Sequence, residues 1–242
     1  MEPAEYALMD AAEDGMWWYH ALHARVLDLL PGTLSGPVLD AGCGTGGFLA
    51  RLRRTRPEVA AFGLEYNPAA AARARTKSGA PVACGSVTAM PFGEARFAAV
   101  ISLDVLCHAA AEPPQALAEM RRVLAPDGQL ILNLPAFAWL RSAHDVRVHN
   151  TRRFTLGGAR AALLEAGFRP LRLGYWNALL LPLMAVQRKL LARAPDHRSD
   201  VATFPPWLDR SLHAATALER RLGALGLRFP AGGSVLALAA RS

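Results

Sequence analysis

Val38-Leu39-Asp40-Ala41-Gly42-Cys43-Gly44-Thr45-Gly46-Gly47 is the stretch that decides the fold of this chain. Val38 to Asp40 is a short apolar run that ends in an acid. The glycines behind it let the backbone turn sharply and let a ligand approach the chain closely. The run reads as a buried strand that enters a glycine-rich turn, with a helix following to about residue 54. In open parallel sheets, ligands sit beyond the carboxyl ends of the strands, where turns of this kind lie.

The same alternation continues outward from the turn. Residues 60–64 read as a second strand ending at Glu65, and Asn67 caps a helix over 68–77 that begins with Pro68. Strands follow at 81–83 and 98–102, then a helix at 114–124. The turn Pro126-Asp127-Gly128 leads into a strand at 129–134. Strands alternating with helices predict a mostly parallel sheet covered on both faces. A helix at 156–166 stops at Gly167, a strand covers 169–175, and 234–240 closes the chain as an apolar strand. Residues 176–228 are expected to be mainly helical with a loop near 194–206. At roughly fifty residues this insert is too long for a simple connection, and it is a candidate substrate cap. Upstream, residues 5–30 read as helical, with Leu22, Val26, Leu29 and Leu30 at helix spacing and Pro31-Gly32 as the stop. The expectation is a single domain over 1–242, with 1–30 as a helical lid.

The bulk composition excludes several classes. A chain of 242 residues, 52% hydrophobic and 19% charged, is a packed globular protein and not a disordered one. Its net charge of +7 invites a nucleic-acid partner. The charge is scattered and nearly all arginine, with Lys77 and Lys189 the only lysines, and no compact basic run carries interleaved aromatics, so nucleic acid is disfavoured. Cys43, Cys84 and Cys107 have no paired spacing, which fits reduced thiols in the cytoplasm and argues against a metal site. The N-terminus is acidic, unlike a signal peptide, and no apolar stretch is long enough to span a bilayer. The leucines of 179–191, followed by basic residues, could line an apolar tunnel or touch a membrane surface, although such stretches are more often core. The sequence leaves the oligomeric state open.

Two cofactors compete for the glycine turn. Gly42, Gly44 and Gly47 satisfy the dinucleotide spacing G-x-G-x-x-G. Asp40, Gly42, Gly44 and Gly46 also give D-x-G-x-G-x-G. A dinucleotide brings an anionic pyrophosphate to the helix N-terminus, and Asp40 would repel it. S-adenosyl-L-methionine carries a sulfonium and an ammonium group, which an acid at the strand end welcomes. Glu65 lies roughly twenty residues further on, where an acid grips ribose hydroxyls in either case. The plainer alternatives are a loop-bracing role for Asp40 and a solvated one for Glu65.

Together with the glycine turn and Glu65, the segments Met90-Pro91-Phe92, Ile101 to His108 and Arg121 to Gly128 resemble the class I S-adenosylmethionine-dependent methyltransferases over most of residues 17–175. The resemblance implies a Rossmann-like fold with a mostly parallel seven-stranded sheet and an antiparallel last strand. It implies cofactor contacts from Asp40, Gly42, Cys43, Gly44 and Gly46 at the turn, and from Glu65 and Tyr66 at the second strand. It places the adenine near Ser86 and Val87 and the methionine end near Ser102 and Leu103, with His108 following. Ser86 departs from the family, which usually has an acid there, and serine is a weaker acceptor. Met16-Trp17-Trp18-Tyr19, and Ser142-Ala143-His144-Asp145 followed by His149, Arg152, Arg153 and Phe154, resemble the flanks of a bacterial subgroup of these enzymes.

Beyond the cofactor, His144 and His149 follow the fifth strand as candidate bases, with Asp145 able to orient one of them. The plainer reading is that His144 and Asp145 brace a loop. Arg152 and Arg153 could hold an anionic group of a substrate or pair with acids. Trp17 and Tyr19 are candidate substrate contacts, or ordinary helix packing. The expected function is methyl transfer to a small or lipid-like acceptor, by O- or C-methylation. The alternatives are an S-adenosylmethionine-binding protein that transfers no methyl, a nicotinamide-dependent oxidoreductase and an RNA methyltransferase.

Overall fold

The computed structural model describes residues 3–188 and 204–242, so the loop expected at 194–206 lies almost wholly outside the described residues. The chain runs α1 (Pro3–Ala12), α2 (Trp17–Leu29), β1 (Val38–Ala41), α3 (Gly47–Thr55), β2 (Ala61–Glu65), α4 (Pro68–Ser78), β3 (Val82–Cys84), β4 (Phe97–Leu103), α5 (Pro113–Val123) and β5 (Leu124–Pro135). It continues through α6 (Ala143–Arg147), α7 (Leu156–Glu165), β6 (Phe168–Trp176), α8 (Leu181–Val186), α9 (Pro206–Ala224) and β7 (Ser234–Arg241).

The seven strands form one sheet in the order β3-β2-β1-β4-β5-β7-β6, parallel except for β7, which runs antiparallel to both its neighbours. This is the Rossmann-like sheet, mostly parallel with an antiparallel last strand, that the resemblance implies, and its strand–helix alternation is the one read from the sequence. Strand order reverses between β1 and β4, which opens a crevice at their carboxyl ends. β1 is short and wholly buried because helices cover both faces of the sheet. One core packs Leu117, Met120, Leu163 and Phe168 against Leu39, Val100 and Leu130. The other packs Leu22, Val26, Phe48 and Leu52 against Val38, Ile101 and Ile131.

Local chemistry sets several boundaries as the sequence predicts. Asn67 accepts hydrogen bonds from the amides of Ala69 and Ala70 at 2.9 and 3.0 Å, with Pro68 behind it. Thr155 caps α7 by accepting from Gly158 at 3.1 Å. The N-terminal stretch departs from expectation. In place of one helix over 5–30 there are two, divided between Glu13 and Met16. The division frees α1 to turn back across the glycine bend.

Helix α9 packs on α2, and a buried polar cluster fastens it. Glu219 meets Arg25 at 3.1 Å and accepts the amides of Asn177, Ala178 and Leu179 at 2.7, 2.6 and 3.0 Å. Arg25 also lies 4.8 Å from the Trp176 ring centre. A carboxylate with three amides and a guanidinium has its buried charge well satisfied, and it fixes the turn that leaves β6 at the mouth of the crevice.

Candidate active site

The crevice is a cavity of about 430 Å³, within the range of small-molecule sites. At its floor, the glycine bend presents bare backbone. Gly42 (φ 90°) and Gly44 (φ 55°) adopt left-handed conformations, and a Cβ at these positions would collide with Val105 and Met9 respectively.

Asp40 stands at the tip of β1, only 2% exposed, and lines the cavity. Among the described residues no donor hydrogen-bonds its carboxylate. Burial, reinforced by the nearby charges of Glu65 and Glu13, pushes its pKa up to about 8. A buried acid without donors is destabilising until a cation or donor reaches it. Glu65, at the tip of β2, is already anchored. Its Oε2 accepts Gly44 N–H at 3.0 Å, and its Oε1 accepts Asn67 N–H at 2.9 Å and the Tyr6 hydroxyl at 3.0 Å. With about four acceptor directions on a carboxylate, one on Oε2 stays open.

Helix α1 roofs this floor. Glu13 accepts from Thr45 Oγ1 at 2.7 Å, and Lys77 joins Glu13 at 2.5 Å and Asp10 at 2.6 Å. Glu5 meets Arg147 at 3.2 Å and lies 3.9 Å from His144. The hydroxyl of Tyr6, also half-buried beside Glu65, is held well above the usual tyrosine range by burial and by that carboxylate. These roof residues were not foreseen. The acids were visible near the N-terminus, but their partners lie far along the chain.

The expected site residues divide cleanly by location. Asp40, Gly42, Cys43, Gly44, Glu65, Tyr66, Ser86, Val87, Leu103 and His108 line the cavity, as do Trp17, Tyr19, His144, Asp145 and Arg153. Four others do not line it. Gly46 is the N-cap of α3, packed against Ala74. Ser102 donates its hydroxyl to the Ala41 carbonyl at 2.9 Å and so braces β1. Arg152 binds the carbonyls of His108 and Ala111 and pairs with Glu112 at 2.9 Å. His149 is exposed, at a left-handed φ of 58°. Ser86 spends its hydroxyl locally, 2.7 Å from Thr88 Oγ1 and accepting the Thr88 amide at 3.1 Å.

Electrostatics sort the lining residues further. Asp145 pairs with Arg153 at 2.9 Å through both carboxylate oxygens, which holds the acid below its usual range despite burial. Burial drives His108 down to about 4, so it is neutral at physiological pH. Among the described residues the cavity is lined by Glu5, Glu13, Asp40, Glu65, Asp104 and Asp145, against only Arg153 and Arg188 as permanent cations. A chain with a net charge of +7 thus has an acidic pocket, which suits a cationic ligand and repels a pyrophosphate.

Residues 39–132 match the family model described as a methyltransferase domain, which runs from β1 into β5. A malonyl-[acyl-carrier protein] O-methyltransferase of Herminiimonas arsenicoxydans is 34% identical over 110 residues, covering 46% of this chain and 41% of that protein. The chain spans less than half the length of the curated relatives it matches. Among solved structures, an S-adenosylmethionine-dependent methyltransferase of Thermotoga maritima, titled a possible histamine N-methyltransferase, superposes with a TM-score of 0.65 at 19% identity, over 99% of this chain and 95% of that one. The geranyl diphosphate C-methyltransferase of Streptomyces coelicolor, solved with S-adenosyl-L-homocysteine, gives 0.62 at 17% identity, over 93% and 78%. Residues 39–132 thus match a methyltransferase domain, and the fold is shared with these solved methyltransferases, which use S-adenosylmethionine. The donorless acid beside a bare backbone bend fits that cofactor's cationic amino-acid end.

Proposed function

We propose that this protein transfers a methyl group from S-adenosylmethionine to a small or lipid-like acceptor in the cytoplasm, by O- or C-methylation. When bound, S-adenosylmethionine supplies an activated methyl group on a positively charged sulfur. The observation that carries the reading is Asp40, a buried, donorless carboxylate beside the bare bend at Gly42 and Gly44.

Asp40 would accept from the ammonium group of the cofactor. Glu65 would use its open acceptor direction for a ribose hydroxyl, and Ser86 and Val87 would border the adenine. Gly42 and Gly44 keep the floor clear for close approach. Helix α1, with Tyr6 and Glu13, closes the site from water as part of the lid at residues 1–30. The insert at 176–228 supplies Asn177 and Met184 to the cavity wall and acts as a substrate cap. Trp17 and Tyr19 line the cavity and would border the acceptor. Among the histidines expected to carry proton chemistry, His144 reaches the cavity and His149 does not. The largely apolar lining beyond the carboxylates supports an acceptor with an apolar body.

Incubating the protein with methyl-deuterated S-adenosylmethionine and a metabolite extract tests this reading. A metabolite that gains the labelled methyl group is the expected result. Cofactor binding without any labelled product would favour a role that transfers no methyl.

A further inference from the structure

Asp104 follows β4 directly, across the switch point from Asp40, and lines the same cavity. Every part of it except the cavity-facing edge of its carboxylate is fixed. Its backbone is left-handed, at φ 54°, a conformation few residues adopt and one found disproportionately at functional sites. Its amide donates to the Asn133 carbonyl at 2.9 Å, and its own carbonyl accepts from Cys107 Sγ at 3.0 Å.

The side chain is held through Asn133, which is completely buried. Trp176 Nε1 donates to Asn133 Oδ1 at 2.8 Å. An indole N–H can only donate, so Asn133 must present oxygen to Trp176 and its amide nitrogen to Asp104. That nitrogen lies 3.0 and 2.9 Å from the two carboxylate oxygens. Asp104 is thus aimed and held as an acceptor, with lone pairs left toward the cavity.

Among the described residues no cation contacts it. Arg153, the guanidinium nearby, is committed to Asp145. The charged and titratable groups facing Asp104 are Arg153, Asp145, Tyr19 from α2 and Cys107. Desolvation outweighs the Asn133 hydrogen bond and the Arg153 charge and lifts the carboxyl to about 7, where a carboxylate is a competent base.

We propose that Asp104 is the catalytic base of the methyl transfer and that the acceptor is a hydroxyl compound whose proton it takes. The inference rests on the methyl-transfer reading. In this step the acceptor O–H bond breaks, its electron pair stays on oxygen as the nucleophile, and the proton goes to a carboxylate oxygen of Asp104. Asn133 and Trp176 are positioning residues. Their hydrogen bonds keep the carboxylate edge turned to the cavity.

Two measurements test the assignment. In protein labelled with carboxyl-¹³C aspartate, one resonance is expected to titrate near pH 7 and to vanish in Asp104→Asn. With the deuterated cofactor and the labelled metabolite as substrate, kcat/KM for the native protein is expected to rise with pH through about 7. Asp104→Asn should bind S-adenosylhomocysteine like the native protein yet lose about a hundredfold or more in rate, together with that pH dependence. Asn133→Leu should fold, as read by the same spectra, and shift the titration upward. A resonance titrating at the ordinary carboxylate value, a native rate in Asp104→Asn, or loss of the pH dependence in His144→Ala instead would each overturn the inference alone. If the native protein also fails to label any metabolite, the methyl-transfer reading falls and takes the inference with it.

Discussion

Asp40 and Asp104 flank the reversal of strand order, and both hold protons more tightly than free carboxylates, at about 8 and about 7. A carboxyl group raised in the folded state favours folding below its unfolded value and loses that contribution as pH climbs through the folded value. The depressed histidines His23 and His108, at about 3 and 4, have the opposite slope but finish acting by pH 6.5. Between pH 7 and 9 the ligand-free protein should therefore lose thermal stability. Asp40→Asn should flatten the decline by at least about 2 °C, the worth of ~1 kcal/mol in a domain of this size. A melting temperature that rises across this window would contradict both assignments. The positions of Asp40 and Glu65 at strand tips lining the cavity were legible in the sequence because their signal is local, an acid ending an apolar run, beside glycines in the case of Asp40. The setting of Asp104 was not. It depends on a backbone angle and on Asn133 and Trp176, which only the folded sheet brings to it.

At the scale of elements, α1 is a roof fastened by charge. Lys77 is nearly buried between Asp10 and Glu13, and Arg73 meets Asp10 at 2.8 Å. Removing one partner of such a cluster leaves buried acid uncompensated, a loss on the order of 3 kcal/mol. In Lys77→Met, amide exchange over residues 3–12 should accelerate and cofactor affinity should fall. Unchanged exchange would mean that α1 is held by packing alone. The turn after β6 offers a parallel case. Glu219→Gln weakens the grip on Arg25 and on three amides, so exchange at 177–179 should rise while the glycine bend stays protected. The sequence marked α2 by its apolar spacing, and Pro31-Gly32 ended it. It did not mark the break between α1 and α2, because Gly15 is tolerated inside a helical pattern and the acids of α1 find their partners only in the fold. The insert before β7 was legible as helical from its leucines and its length, but its attachment through Glu219 was not.

For the molecule as a whole, composition and site point in opposite directions. The surface carries the +7 charge while the cavity collects carboxylates. Any RNA binding should therefore be nonspecific, steeply salt-dependent and unaffected by Asp40→Ala. Affinity that survives 200 mM salt would reopen the RNA methyltransferase reading. Among the described residues no helix is long and apolar enough to cross a membrane. The overall architecture was largely readable from alternation and turn chemistry, since a parallel sheet with covered faces leaves few ways to connect its strands. The most direct test of the central claim is calorimetric titration of the native protein and Asp40→Ala with S-adenosylmethionine and with NAD. The native protein should bind S-adenosylmethionine and give no heat with NAD, and the variant should bind about tenfold or more weakly, the worth of one hydrogen bond to a charged group. Equal affinity in both proteins, or saturable binding of NAD, would contradict it.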